Sequence, residues 1–163
     1  MPTPLEDLVQ TSRTGVDGGR RVVILGVAAS DSHVVANQLI ARFLSDLGFH
    51  VVNLGACTSV EEFADACAEH PDAEAVLIGS LNGHAWEDLR ELPEAKRSGR
   101  ITCPVVLGGN LSVGSRKDPS AHARLYACGV DRIVADPTSL PAVLDELRAA
   151  RAVGARIGYP AAS

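Results

Sequence analysis

A chain of 163 residues, 46% of them hydrophobic, is long enough to bury one substantial core and short for two. Its formal net charge is -5 and it has no run of Lys or Arg, which argues against a nucleic-acid partner, because such a partner needs a basic face to neutralise phosphates. It has no stretch of about 18 apolar residues, and no basic N-terminal segment leading into an apolar one, so the expectation is a soluble cytoplasmic protein with no membrane partner.

Residues 1–20 contain Pro2, Pro4, Gly15, Gly18 and Gly19 and show no sustained periodicity; they read as a flexible N-terminal arm. Residues 22–27, VVILGV, form a continuous apolar run of the kind found in a strand covered on both faces. Residues 34–47 repeat apolar side chains at helical spacing, with Leu39, Phe43, Leu44 and Leu47 as the expected buried stripe and Gly48 as the stop. The alternation continues. Strands are expected at 50–54, 75–78, 105–107 and 132–135, and helices at 60–69, 86–97, 119–128 and 140–151. Residues 152–163, with Gly154, Gly158 and Pro160, read as a C-terminal tail, leaving 21–151 as the single domain. The four cysteines, Cys57, Cys67, Cys103 and Cys128, are far apart and form no CxxC pair; they are expected to be small buried apolar residues of a reducing compartment.

Five strands alternating with five helices imply an α/β fold, a five-stranded parallel sheet with helices on both faces, because each parallel crossover needs a covering element. The flavodoxin-like (Rossmann-like) strand order is the leading choice at this size. In such sheets ligands bind at the carboxyl ends of the strands, where the order reverses. That rule brings together the loops after the first strand (28–33), the third (79–84) and the fourth (108–114).

The first of these loops reads Ser30-Asp31-Ser32-His33, followed by Val34. A histidine at the mouth of a parallel sheet can ligate a metal through one ring nitrogen while a nearby carboxylate accepts the other N–H and fixes the tautomer. The same residues also fit a plain helix start, with Asp31 as the cap and His33 in the first turn. The third-strand loop, Gly79-Ser80-Leu81-Asn82-Gly83-His84, and the fourth, Gly108-Gly109-Asn110-Leu111-Ser112-Val113-Gly114, supply small residues where a ligand can approach the main chain. Neither GxxxxGK[ST] nor GxGxxG is present, so a large flat or elongated ligand fits these loops better than a phosphate. His84 and Trp86 also occupy the third-strand region, where His84 either faces a ligand or partner or is simply exposed.

These residues carry a resemblance. The chain is similar to the cobalamin-binding domain family, whose signature is D-x-H-x-x-G, then S-x-L, then GG; the corresponding segments here are Asp31-Ser32-His33-Val34-Val35-Ala36, Gly79-Ser80-Leu81 and Gly108-Gly109. Within that family it most resembles the free-standing small subunits of glutamate mutase, through 23–27, Ser30-Asp31, Gly48-Phe49, 51–55, Ser80-Leu81, Gly108-Gly109-Asn110 and Val113-Gly114. The resemblance implies that the cofactor is adenosylcobalamin, bound with its own base displaced from cobalt, that His33 is the axial cobalt ligand and that Asp31 is the acceptor behind it. Ser30 to Val34, Gly79 to Leu81, Gly83, and Gly108 to Gly114 would line the nucleotide tail and corrin edge. It further implies a role in homolysis of the cobalt–carbon bond for a carbon-skeleton rearrangement, with a large barrel-type catalytic subunit docked at the three loops and holding most of a small amino-acid substrate. Two positions depart from the signature: its last glycine is Ala36, and the serine of S-x-L is Gly79, which removes the hydroxyl expected to bond the buried base. A cobalamin carrier or sensor module, or a degenerate cofactor-free interaction domain, are the alternatives the same residues allow.

Overall fold

The computed structural model describes residues 19–29, 33–80, 84–109 and 119–157, and the side chains of 119 and 154–157 are left aside. In chain order the elements are β1 (Val22–Ala28), α1 (Val34–Asp46), β2 (His50–Thr58), α2 (Val60–Glu69), β3 (Ala75–Gly79), α3 (Ala85–Asp88), α4 (Leu92–Arg97), β4 (Val105–Gly108), α5 (Pro119–Cys128), β5 (Arg132–Val134), a 3-10 turn (Pro137–Ser139) and α6 (Leu140–Ile157). The five strands form one parallel sheet in the order β2-β1-β3-β4-β5, the expected flavodoxin-like arrangement. The order reverses between β1 and β3, so the loops leaving these strands diverge and open a crevice at the carboxyl edge.

All seven residues of β1 are buried, as an apolar run covered on both faces requires. Val23 and Leu25 point to one face and pack with Leu44 of α1 and with Leu140, Leu144 and Leu147 of α6. Those three leucines follow helical spacing, which puts them on one stripe. Val22 and Ile24 point the other way, towards Phe63 of α2, Leu89, Leu92 of α4 and Leu125 of α5. At the amino edge, Arg21 ties β1 to Glu74 and to Asp145 of α6, both at 2.6 Å. The hydrogen bonds that Arg21 donates to Glu74, supported by Asp145 against the cost of burial, raise the pKa of Arg21.

Several local features differ from the sequence expectation. The single helix expected at 86–97 is two short ones, α3 and α4, separated by a turn; Pro93 sits in the first turn of α4, because it has no N–H to continue a helix and is suited only to its start. In α1 half of the expected stripe is found: Leu44 is buried and Phe43 packs against the core, but Leu39 and Leu47 are 66% and 52% exposed, and buried Asn37 with Ile40 and Ala41 completes the face instead. A polar residue at the centre of the stripe disguised it. β2 runs to Thr58 instead of stopping at 54, through a register shift against β1 where Gly55 and Cys57 take positive φ values of 84° and 55°. Cys103 and Cys128 are buried as expected, but Cys57, on that irregular stretch, is exposed. The last helix continues to Ile157, beyond the expected end at 151, since Ala152 and Ala155 favour helix strongly enough to carry it past Gly154. The arm at 1–18 and the tail at 158–163 lie outside the described residues. Among the described residues no helix is long and apolar enough to cross a membrane.

Gly26 is where the sheet meets α2 most closely. A Cβ there would lie 2.7 Å from Cζ and 2.8 Å from Cε1 of Phe63, whose ring is only 1% exposed and has little room to swing. Gly26→Ala is expected to lower the unfolding free energy by about 1–3 kcal/mol through overpacking, measured by denaturant titration.

Candidate functional site

On the α1/α6 face of the sheet, at its carboxyl edge, lies a cleft of about 440 Å³, within the range of small-molecule sites. Its floor is the sheet: Leu25, Leu77 and Val106 deeper in, and Gly79, Gly108 and Gly109 at the rim. One wall is the start of α1, with His33, Ala36, Asn37 and Ile40, and the other is the turn into α6, with Pro137 and Leu140. Asp136 caps that turn by accepting from the Thr138 amide at 2.9 Å and its hydroxyl at 2.8 Å, and these bonds hold its carboxyl below the usual range.

Gly79 and Gly108 are paired in register on adjacent strands, so the rim is a strip two strands wide without side chains. At about 4.8 Å per strand that strip has the breadth of a flat bicyclic ring. Neither glycine is demanded by the backbone, since neither has a positive φ. Among the described residues, a Cβ on Gly79 would meet nothing nearer than the Gly26 carbonyl oxygen at 3.9 Å, and one on Gly108 would meet the Val134 carbonyl oxygen at 3.4 Å. The packing of the described residues therefore leaves the space above them open. Gly109 differs, because its φ of 110° belongs to the region that favours glycine.

His33 stands at the mouth of the cleft. It occupies the cap position of α1 in an extended conformation (φ -72°, ψ 92°) and is exposed, and its side chain does not cap the helix. The plain alternative, with Asp31 as the cap residue and His33 in the first turn, is therefore not the arrangement found. Among the described residues no group of three or more His, Cys, Asp or Glu side chains converges, so they hold a metal at His33 only if it arrives with ligands of its own.

Of the candidate residues from sequence, His33, Gly79, Gly108 and Gly109 come together around this cleft. Ser80 does not join them. Its amide donates to the Gly108 carbonyl at 2.9 Å, and its side chain is buried outside the cleft lining. Val34 is 48% exposed and outside the lining. Ser30, Asp31, Ser32, Leu81, Gly83, Asn110, Leu111, Ser112, Val113 and Gly114 lie outside the described residues. His84 is exposed, 4.0 Å from Glu87, and Trp86 is covered on one face by the Arg124 guanidinium at 4.2 Å. Sequence reasoning missed Asn37, Ile40, Pro137 and Leu140. For Asn37 a signal existed: it follows His33 by four residues and interrupts an otherwise apolar helix face.

The B12 binding domain family matches residues 21–144, which span every strand and the start of α6. The chain belongs to that family. Its relatives include the glutamate mutase sigma subunit of Halobacterium salinarum, 40% identical over 126 residues that make up 77% of this chain and 84% of that one. The corresponding subunit of Clostridium tetanomorphum is 31% identical over 130 residues, covering 79% of this chain and 94% of that protein. Among solved structures, the monomethylamine corrinoid protein of Methanosarcina barkeri superposes with a TM-score of 0.64 at 18% identity, over 88% of this chain and 65% of that one, a likeness of fold.

Proposed function

We propose that this chain is the cobalamin-binding small subunit of an adenosylcobalamin-dependent carbon-skeleton mutase of the glutamate mutase type. The observation that carries the proposal is the glycine-rimmed cleft with His33 at its mouth. A cleft between sheet and helices, apolar along its length and cleared of side chains at two paired strand ends, fits the displaced nucleotide tail of cobalamin. His33 then stands where the corrin plane would meet the rim, and imidazole is a suitable ligand for cobalt. When bound, adenosylcobalamin supplies a carbon-centred radical.

The rest of the reaction needs more than this chain. A radical must be shielded from water and competing reactants, and a second subunit over the carboxyl edge would supply that enclosure. The proposal therefore includes a large barrel-type catalytic subunit docked over the three loops and holding most of an amino-acid substrate. The sigma-subunit relatives at 31–40% identity support that reading over a methyl carrier or sensor.

The deciding experiment is an absorption titration of the purified chain with adenosylcobalamin, followed by addition of a glutamate mutase large subunit and L-glutamate. A base-off, His-on spectrum and formation of methylaspartate are expected. Binding without turnover over a panel of amino acids would leave a carrier or sensor, and no spectral change at all would leave a cofactor-free domain.

Gly79 allows a finer check. The open space above it accepts a serine without strain, and the added hydroxyl points into the cleft. Gly79→Ser is expected to bind cobalamin at least as tightly as wild type, any gain staying within about 0.5–1.5 kcal/mol, the net worth of one hydrogen bond. Weaker binding in the same titration would contradict this account of the site.

A further inference from the structure

Two buried polar side-chain atoms have no hydrogen-bond partner among the described residues, and one of them, Asn37 Nδ2, belongs to a residue on the cleft wall. Its orientation follows from a chain of donors and acceptors. The Gly55 amide can only donate, and it does so to Asn53 Oδ1 at 3.0 Å. This turns the Asn53 amide group towards Asn37, whose Oδ1 accepts at 2.8 Å. Asn37 is thereby held with its NH2 uncommitted, although the residue is only 3% exposed. A tie between α1 and β2 explains the oxygen of Asn37 and leaves the nitrogen unexplained. Buried donors are rarely left without acceptors, and one on the wall of a binding cleft is a donor kept for a ligand.

We infer that Asn37 donates a hydrogen bond to an acceptor atom of the heteroaromatic base in the cobalamin tail, from the wall opposite α6. This rests on the cobalamin reading above. The bond offsets the hydroxyl that Gly79 lacks: a base lying on the glycine strip has no side-chain donor from that position, and Asn37 offers one from the side. The relay through Asn53 to the Gly55 amide fixes which end of the Asn37 amide is presented, so the site selects an acceptor.

The test compares adenosylcobalamin with adenosylcobinamide, a corrinoid that ends before the nucleotide. Asn37→Leu is expected to weaken adenosylcobalamin by about tenfold to a hundredfold and to leave cobinamide unchanged, the range for a donor whose partner is left unsatisfied. Asn53→Ala, which loosens the helix–strand tie but keeps the donor, is expected to weaken it less. In 15N-labelled wild-type protein the Asn37 side-chain amide protons should move downfield with adenosylcobalamin and stay in place with cobinamide, a readout that needs no variant to fold. Equal losses for both corrinoids, or a wild-type complex in which the Asn37 resonances do not move, would overturn the inference while leaving the cobalamin reading intact. A wild-type chain that takes up no adenosylcobalamin would instead overturn that reading, and this inference with it.

Discussion

In the His33→Ala protein, adenosylcobalamin is expected to lose its His-on absorption signature completely while remaining able to bind. The two parts of the ligand meet different parts of the site. On the proposed reading the tail would contact the cleft, whose walls and floor are built from Leu25, Ile40, Leu77, Val106 and Leu140, none of them touched by the substitution. On the same reading the cobalt would meet one exposed imidazole at the cap of α1, a position where the side chain contributes no cap bond. The unfolding midpoint should therefore change little, the spectrum should become that of a complex with no protein nitrogen on cobalt, and free imidazole in the buffer should restore the lost band. The measurement is an absorption titration with and without imidazole. A spectrum in the variant identical to wild type would show that a different group holds the metal, and the proposed role of His33 would fall.

The strands were legible because burial on both faces leaves continuous apolar runs, and the glycines at 79 and 108–109 marked the strand ends that line the cleft. His33 was legible as a candidate for a topological reason: the carboxyl edge at the order reversal is where such sheets bind ligands, and the chain places a metal-binding side chain there. What escaped sequence reading depends on partners distant in the chain. Asn37 looks like an interruption of an apolar stripe until Asn53, 16 residues away on β2, is seen to hold it. The far wall, Pro137 and Leu140, comes from the turn after β5 and carries no chemical signature of its own. The break between α3 and α4 was written in Pro93 but outweighed by Leu89 and Leu92, which are both buried in the same core and mimic one continuous stripe.

Filling the cleft should separate ligand binding from folding more sharply than any change at its mouth. In Gly79→Phe the new ring starts from a Cβ whose nearest neighbour among the described residues, its chain neighbours aside, is 3.9 Å away, and extends over the strip that Gly79 shares with Gly108, between α1 and the turn into α6. The surroundings are apolar, with Leu25, Leu77 and Val106 below, so the ring gains burial at roughly 25 cal/mol per Å² of apolar surface it hides and displaces no buried side chain. The folded protein should keep its unfolding midpoint or raise it. Adenosylcobalamin, in contrast, loses the space for its tail, and its affinity should fall by at least about a hundredfold, corresponding to roughly 2.8 kcal/mol. Cobinamide has no tail to exclude, so its contact with His33 should survive the same substitution. Thermal unfolding read beside titrations with both corrinoids checks all three outcomes. A variant that binds adenosylcobalamin as tightly as wild type would mean that the tail lies elsewhere and that the glycine strip has another purpose; one that unfolds at lower temperature would mean that the space above Gly79 is needed by the fold itself.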